Sequence, residues 1–318
     1  MKTLRYLFLF LFIFSITISC SKKSKTGEAK YLVGFSQCNN AEPWRQAMNS
    51  NAKKEAEKYK DLIKLEFTDA QQDNSKQIAD VENFIRKKVD LLIISPNEAK
   101  PLSGVVSKAY RSGIPVIVLD RGLETDDYTC FIGADNRLIG EEAGKYIAKL
   151  LKGKGKIVEI QGLPGSPPAI DRSEGFRSII KNYPDIKIIH TIVADWLRPL
   201  AITQMEIVLR AHDKIDLVYA HNDPMAIGAY LAAKNAGREK EMFFIGIDGL
   251  PDPSGGVKAV IDGKLEATFL YPTCGKEAIQ YAIKILKGEK VPKKITLKTA
   301  LITKENAEKY YDPDVKFY

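Results

Sequence analysis

Histidine and cysteine are scarce in these 318 residues: His190, His212 and His221 are the only histidines, and Cys20, Cys38, Cys130 and Cys274 the only cysteines. No two histidines lie three or four positions apart, and no two cysteines have the short spacing of a zinc or redox motif, so no metal or cofactor is expected. A Gly-x-Ser-x-Gly motif and a phosphate-binding loop are missing too, which leaves no nucleophile or acid–base set for an enzyme and no catalytic residue to name. With 45% hydrophobic and 28% charged residues, the composition is that of a soluble globular protein, neither disordered nor multi-spanning. The formal charge of +8 does not mark a nucleic-acid binder. Lys2 and Arg5 lie in a leader, and most other lysines are scattered along amphipathic stretches, as on a solvated basic surface.

The first twenty residues read as an export signal. Lys2 and Arg5 form a short basic region, residues 6–14 are an unbroken apolar run, and Ser15, Thr17 and Ser19 lead to Cys20. The run is shorter than the about 20 residues a membrane span needs. A cysteine directly after such a run resembles the lipobox of bacterial lipoproteins, with Thr17 where leucine is usual. That resemblance implies a signal peptide over 1–19, lipidation of Cys20 and a tether over 20–29. The protein is then anchored to the membrane by lipid and faces away from the cytoplasm.

From residue 31 onward, short apolar runs alternate with amphipathic helical stretches. Strands are expected over 32–36, 64–69, 90–95, 115–120 and 129–132, with helices over 44–59 and 74–88 among them. The runs Leu91-Leu92-Ile93-Ile94 and Val116-Ile117-Val118-Leu119 are apolar on both faces, as strands buried between two helical layers must be. The pattern then restarts, with strands expected over 156–161, 186–191, 217–220, 243–247 and 266–270. Two such series predict an α/β protein of two Rossmann-like lobes, each a parallel sheet flanked by helices. Ligands of such sheets sit beyond the carboxyl ends of the strands.

Polar constellations occur at those ends. Asp120-Arg121-Gly122 follows an apolar strand, Asn222-Asp223 follows 217–220, and Asp248 follows 243–247; Asp171-Arg172 is expected at a helix start. A carboxylate accepts from two adjacent hydroxyls, and an arginine donates through a planar fork, which suits a polyhydroxyl ligand. Trp44 and Trp196 add flat apolar faces for the C–H side of a sugar ring.

These residues carry a family resemblance. Val33-Gly34-Phe35-Ser36-Gln37, Trp44-Arg45, Leu119-Asp120-Arg121, the run 169–176 (AIDRSEGF), the run 221–228 (HNDPMAIG) and Gly246-Ile247-Asp248-Gly249 resemble the type I periplasmic sugar-binding proteins of ABC importers. Within them the chain looks most like the galactofuranose-binding branch, through Phe-Ser-Gln, Trp44-Arg45 and Glu159-Ile160-Gln161-Gly162. The resemblance runs from about residue 31 to about 303. It implies two lobes joined by a three-strand hinge, with crossovers near 134–137, 268–271 and 296–301. The N-terminal lobe would be 30–135 plus 270–297, and the C-terminal lobe 136–269 plus 298–318. Arg45, Asp120, Arg121, Arg172, Asn222 and Asp248 would hydrogen-bond the sugar, with Trp44 and Trp196 as stacking walls. Two departures bear on which sugar binds. Ala41 stands where the galactofuranose branch tends to carry Glu, and Leu270-Tyr271 stand where related binders present Gln or Glu.

The function implied is extracytoplasmic binding of a monosaccharide, a galactofuranose-like hexose or a pentose, by a monomer. The lobes close on the sugar and present it to an ABC permease. The alternative is a sensor that presents it to a membrane kinase or chemoreceptor. A lactose-repressor-type protein shares the core but needs a helix-turn-helix where this chain has an export signal.

Overall fold

A computed structural model describes residues 29–317. The leader, Cys20 and most of the expected tether lie outside the described residues. Two six-stranded sheets form the framework. The first contains β1 (Tyr31–Gln37), β2 (Ile63–Asp69), β3 (Leu91–Ser95), β4 (Val116–Leu119), β5 (Cys130–Ala134) and β11 (Lys294–Leu297), in the order β11-β5-β4-β3-β1-β2. Every neighbouring pair in it is parallel. The second contains β6 (Lys154–Gln161), β7 (Asp185–Val193), β8 (Leu217–Ala220), β9 (Phe243–Ile245), β10 (Ala267–Leu270) and β12 (Ala300–Thr303), in the order β12-β10-β9-β8-β6-β7. Only β12 runs antiparallel to its neighbour.

Helices α1 (Pro43–Glu57), α2 (Asn74–Lys87), α3 (Ala99–Arg111) and α9 (Gly275–Leu286) pack on the first sheet and one another. The second lobe holds α4 (Asn136–Leu150), α5 (Pro167–Ile180), α6 (Arg198–Ala211), α7 (Asp223–Asn235) and α8 (Gly256–Ile261). All of β3 and β4 is buried, because helices cover both faces of the sheet. Side-chain caps fix where several helices begin. Asp73 accepts from the amides of Ser75 (2.7 Å) and Lys76 (3.1 Å), and Asp135 from that of Leu138 (3.0 Å).

The chain passes between the lobes three times: from β5 into α4, from β10 into α9, and from β11 into β12. These passages fall within or beside the three expected crossovers. The third differs in kind from a simple link, since 294–297 and 300–303 are strands, one added to the edge of each sheet. Two local expectations need correction. Arg172 is not at a helix start, because Pro167 and Pro168 open α5 five residues earlier, where proline's missing N–H costs nothing. The strand expected over 243–247 ends at Ile245, and Asp248 makes only an isolated bridge to Leu270. No helix among the described residues is long and apolar enough to cross a membrane.

Candidate functional site

The carboxyl ends of the two sheets face each other across a cavity of about 290 Å³. All eight residues singled out in the sequence line it. Trp44 and Arg45 come from the first turn of α1, and Asp120 and Arg121 from the loop after β4. The other lobe supplies Arg172 from α5, Trp196 from the turn before α6, Asn222 from the end of β8 and Asp248 from beyond β9.

On the first lobe, Arg45 donates from Nη2 to Asp120 Oδ2 and from Nη1 to Ser95 Oγ, both at 2.7 Å. Arg121 donates from Nη1 to the carbonyl of Asn97 at 2.7 Å, and its Nε lies 3.8 Å from Asp120 Oδ2. Both guanidinium groups are buried, yet the Nε of each makes no hydrogen bond among the described residues. Burial opposes ionisation of Asp120, but the guanidinium groups of Arg45, Arg121 and Arg172 outweigh it and hold its carboxyl below the usual range.

On the second lobe, Arg172 is clamped. Its Nε donates to Asn136 Oδ1 at 2.9 Å, and its Nη1 donates to the carbonyl of His221. A glycine pair brings α5 close enough to α4 for this. A Cβ at Gly140 would lie 2.3 Å from the Arg172 carbonyl oxygen, and one at Gly175 would lie 2.2 Å from that of Arg137. Trp196 rests on Gly162, where a Cβ would come within 2.2 Å of the indole. The guanidinium carbons of Arg121 and Arg172 each stand 5.6 Å from its ring centroid, and that of Arg45 stands 4.9 Å from the Trp44 ring.

Asn222 lines the cavity and also serves the framework. Its Oδ1 caps α7 through the amide of Met225 (2.9 Å), and its Nδ2 donates to the Trp196 carbonyl (3.1 Å). Asp223 likewise serves the framework: Oδ2 accepts from the Gly249 amide at 2.8 Å and Oδ1 from the Thr268 hydroxyl at 2.7 Å. Asp171 is half-exposed and does not line the cavity.

Asp248 contrasts with all of these. It is 6% exposed, and its carboxylate has no hydrogen bond or ion pair among the described residues. Burial pushes its carboxyl well above the usual range, with the neighbouring Asp223 adding to the shift. Burial also raises Asp223, to about 6. Asp120 (φ 61°), Trp196 (φ 73°) and Asp248 (φ 141°) all hold positive φ, a conformation that costs a non-glycine residue about 1–3 kcal/mol. Three strained residues around one cavity, one from the first lobe and two from the second, mark it as a site to which backbone stability has been given up.

Glu42 and Tyr271 also line the cavity, though neither was among the eight. Glu42 accepts from the Asn39 side-chain amide at 2.8 Å. Tyr271 is buried; its carbonyl accepts from Trp44 Nε1 at 2.9 Å, and its ring centroid lies 4.9 Å from the Arg172 guanidinium carbon. Both sit at positions where the sequence departs from the galactofuranose branch or next to them, which was the signal that could have found them. Behind the wall, Glu159 pairs with Arg177 and with His221 Nε2 (3.3 Å). Burial opposes its charge, but His221, Ser173 and Arg177 hold it down to about 2. Burial lowers His221, which keeps the imidazole neutral near pH 7.

Three arginines share the cavity with the carboxyl groups of Asp120, Asp248 and Glu42. Stacking faces, forked donors and an unused carboxylate on two opposed lobes define a two-lobed binding protein for a small polar, uncharged molecule. The chain belongs to the periplasmic binding protein family, whose domain model matches residues 33–290, and that family works outside the cytoplasm. It is 38% identical over 279 residues to the galactofuranose-binding protein YtfQ of Escherichia coli, covering 85% of this chain and 86% of that one. It is 34% identical over 288 residues to the ribose import binding protein RbsB of Bacillus subtilis, covering 90% and 92%. Among solved structures, the fructose-binding periplasmic domain of a hybrid two-component system superposes with a TM-score of 0.85 at 49% identity, covering 87% and 92%. These relatives are binding proteins, not enzymes.

Proposed function

We propose that this protein binds one neutral monosaccharide in the interlobe cavity, catalyses nothing, and delivers the sugar to an ABC importer. The observation that carries the reading is the wall made by Arg45, Asp120 and Arg121 facing one made by Arg172, Trp196 and Asp248. The Nε groups without a hydrogen bond donate to sugar oxygens, and Asp248 accepts from hydroxyls. Trp44 and Trp196 take the apolar face of the ring. Each lobe supplies half the contacts, so the sugar favours the closed arrangement. The relatives named for galactofuranose, ribose and fructose support a sugar as ligand. We also propose a monomer with lobes spanning 30–135 plus 270–297 and 136–269 plus 298–318, limits that the strand order supports. Cleavage before Cys20 and its lipidation would anchor it to the membrane through the tether.

The test is thermal unfolding against a panel of monosaccharides. A ligand that binds only the folded protein raises the midpoint by an amount that grows with concentration over Kd. One sugar that does so and is recovered unchanged supports the reading; a panel without any shift removes the sugar assignment. A second reading, sugar sensing through a membrane kinase, is favoured by the 49% identity to a periplasmic domain of a hybrid two-component system. Loss of sugar uptake on deleting the gene supports transport, whereas loss of sugar-dependent transcription with uptake intact supports sensing.

A further inference from the structure

A second, smaller chamber lies beside the sugar cavity, and Asp248 forms part of the wall of both. Its empty volume is about 220 Å³. Pro43, Pro224, Ile227 and Leu250 give it apolar sides. Two charged groups in it have no partner among the described residues: the buried carboxylate of Asp248 and the guanidinium of Arg198, the half-buried first residue of α6. Asp223 also borders the chamber, but Gly249 and Thr268 occupy both of its oxygens. What remains free is thus one strong acceptor and one strong donor between apolar walls.

A hydroxyl group both donates and accepts, so a single –CH₂OH answers this arrangement. Its proton goes to Asp248, its oxygen accepts from Arg198, and its methylene lies against proline and aliphatic side chains. We propose that the chamber is a subsite for an exocyclic hydroxymethyl group, so that the protein selects a hexopyranose over the pentopyranose of the same configuration, which has no exocyclic carbon. The ring stays in the main cavity and the arm passes Asp248. A pentopyranose has no hydroxymethyl group to place there and leaves both Asp248 and Arg198 without that partner, which is the situation that gives discrimination.

This inference rests on the sugar-binding reading and is tested by matched pairs that differ by one hydroxymethyl group. D-Fructose is compared with D-arabinose, and D-galactose with L-arabinose, by calorimetric titration of the protein. In the pair that binds, the hexose is expected to be tighter by about 10- to 100-fold. Arg198→Ala should reduce that ratio about tenfold, and Ile227→Phe, which fills the chamber, should abolish it. A pentose that binds as tightly as its hexose overturns the subsite and leaves the sugar site standing. So does a preference that survives both Arg198→Ala and Ile227→Phe. If no member of either pair binds, and the wider sugar panel also fails, the sugar reading falls and takes the subsite with it.

Discussion

Asp248→Asn should make the empty protein more stable and the sugar complex weaker. The carboxylate is buried at 6% exposure, has no partner among the described residues, and is pushed towards its neutral form by burial and by Asp223. Ionising it in the empty protein is therefore unfavourable, and the isosteric amide removes that penalty while keeping the volume. The amide is still a buried polar group, so the gain is the charge-related part alone, about 1.4 kcal/mol for each unit by which burial raises the carboxyl. For a chain of this length that corresponds to a rise in Tm of roughly 2–4 °C per kcal/mol. The same change replaces a charge-assisted acceptor by a neutral one. A hydrogen bond to a charged group contributes about 1.5–3 kcal/mol, so sugar affinity should fall by about 10- to 150-fold. Differential scanning calorimetry with and without sugar reads both effects on one sample. A variant that loses stability along with affinity would show that Asp248 is a structural residue. A variant that gains stability and binds normally would show that its carboxylate does not meet the ligand.

Other outcomes follow from the same geometry. Gly162→Ala places a Cβ within 2.2 Å of the Trp196 indole; the ring must leave its seat, and affinity should drop about tenfold with the fold retained, as titration and circular dichroism would read. Gly165→Ala puts a Cβ 1.8 Å from Glu98 Oε2 at the rim, where the Ala99 amide of one lobe donates to the Gly165 carbonyl of the other at 3.3 Å. That carboxylate is the far end of a flexible side chain and can swing aside, so affinity should change little, as titration would read. Stability should also have two pH limbs. The neighbouring buried carboxyls Asp223 and Asp248, both raised above 3.8, contribute stability that is complete below pH 3.8 and is lost as pH rises through their raised values. Glu159, lowered from 4.5 to about 2, contributes stability present above pH 4.5 and lost as pH falls towards 2. Asp223→Asn should reduce the upper limb of Tm against pH and leave the lower one unchanged.

Much of this molecule is legible in its sequence because strand burial and site chemistry leave strong local marks. The doubly apolar runs at 91–94 and 116–119 could only be strands between two helical layers, and the charged residues directly after such strands belong at a ligand crevice. The arrangement of the eight residues around one cavity follows from that rule applied twice. What local pattern could not supply was the use each side chain makes of its atoms. Asn222 reads as a ligand donor, yet both ends of its amide serve a helix cap and an indole support, contacts made across 3 and 26 residues of chain. Tyr271 reads as an apolar link in a crossover. Its place under Arg172 depends on α4, α5 and the first lobe meeting there, which no periodicity records. The edge strands Lys294–Leu297 and Ala300–Thr303 are short and half-exposed, so they lack the apolar signature of the central ones.

The central claim is that a sugar sits between the two arginine-bearing walls, and Arg121→Ala tests it most directly. Arg121 is 1% exposed and, among the described residues, hydrogen-bonded only through Nη1 to Asn97, with an Nε that makes no hydrogen bond and stands 3.8 Å from Asp120 Oδ2. Calorimetric titration of the wild-type protein with the sugar that raises its Tm should give one site per chain. The variant, folded by circular dichroism, should lose about 2–5 kcal/mol of binding, a fall of about 30- to 5000-fold. An unchanged isotherm in a folded variant would mean that the ligand binds elsewhere.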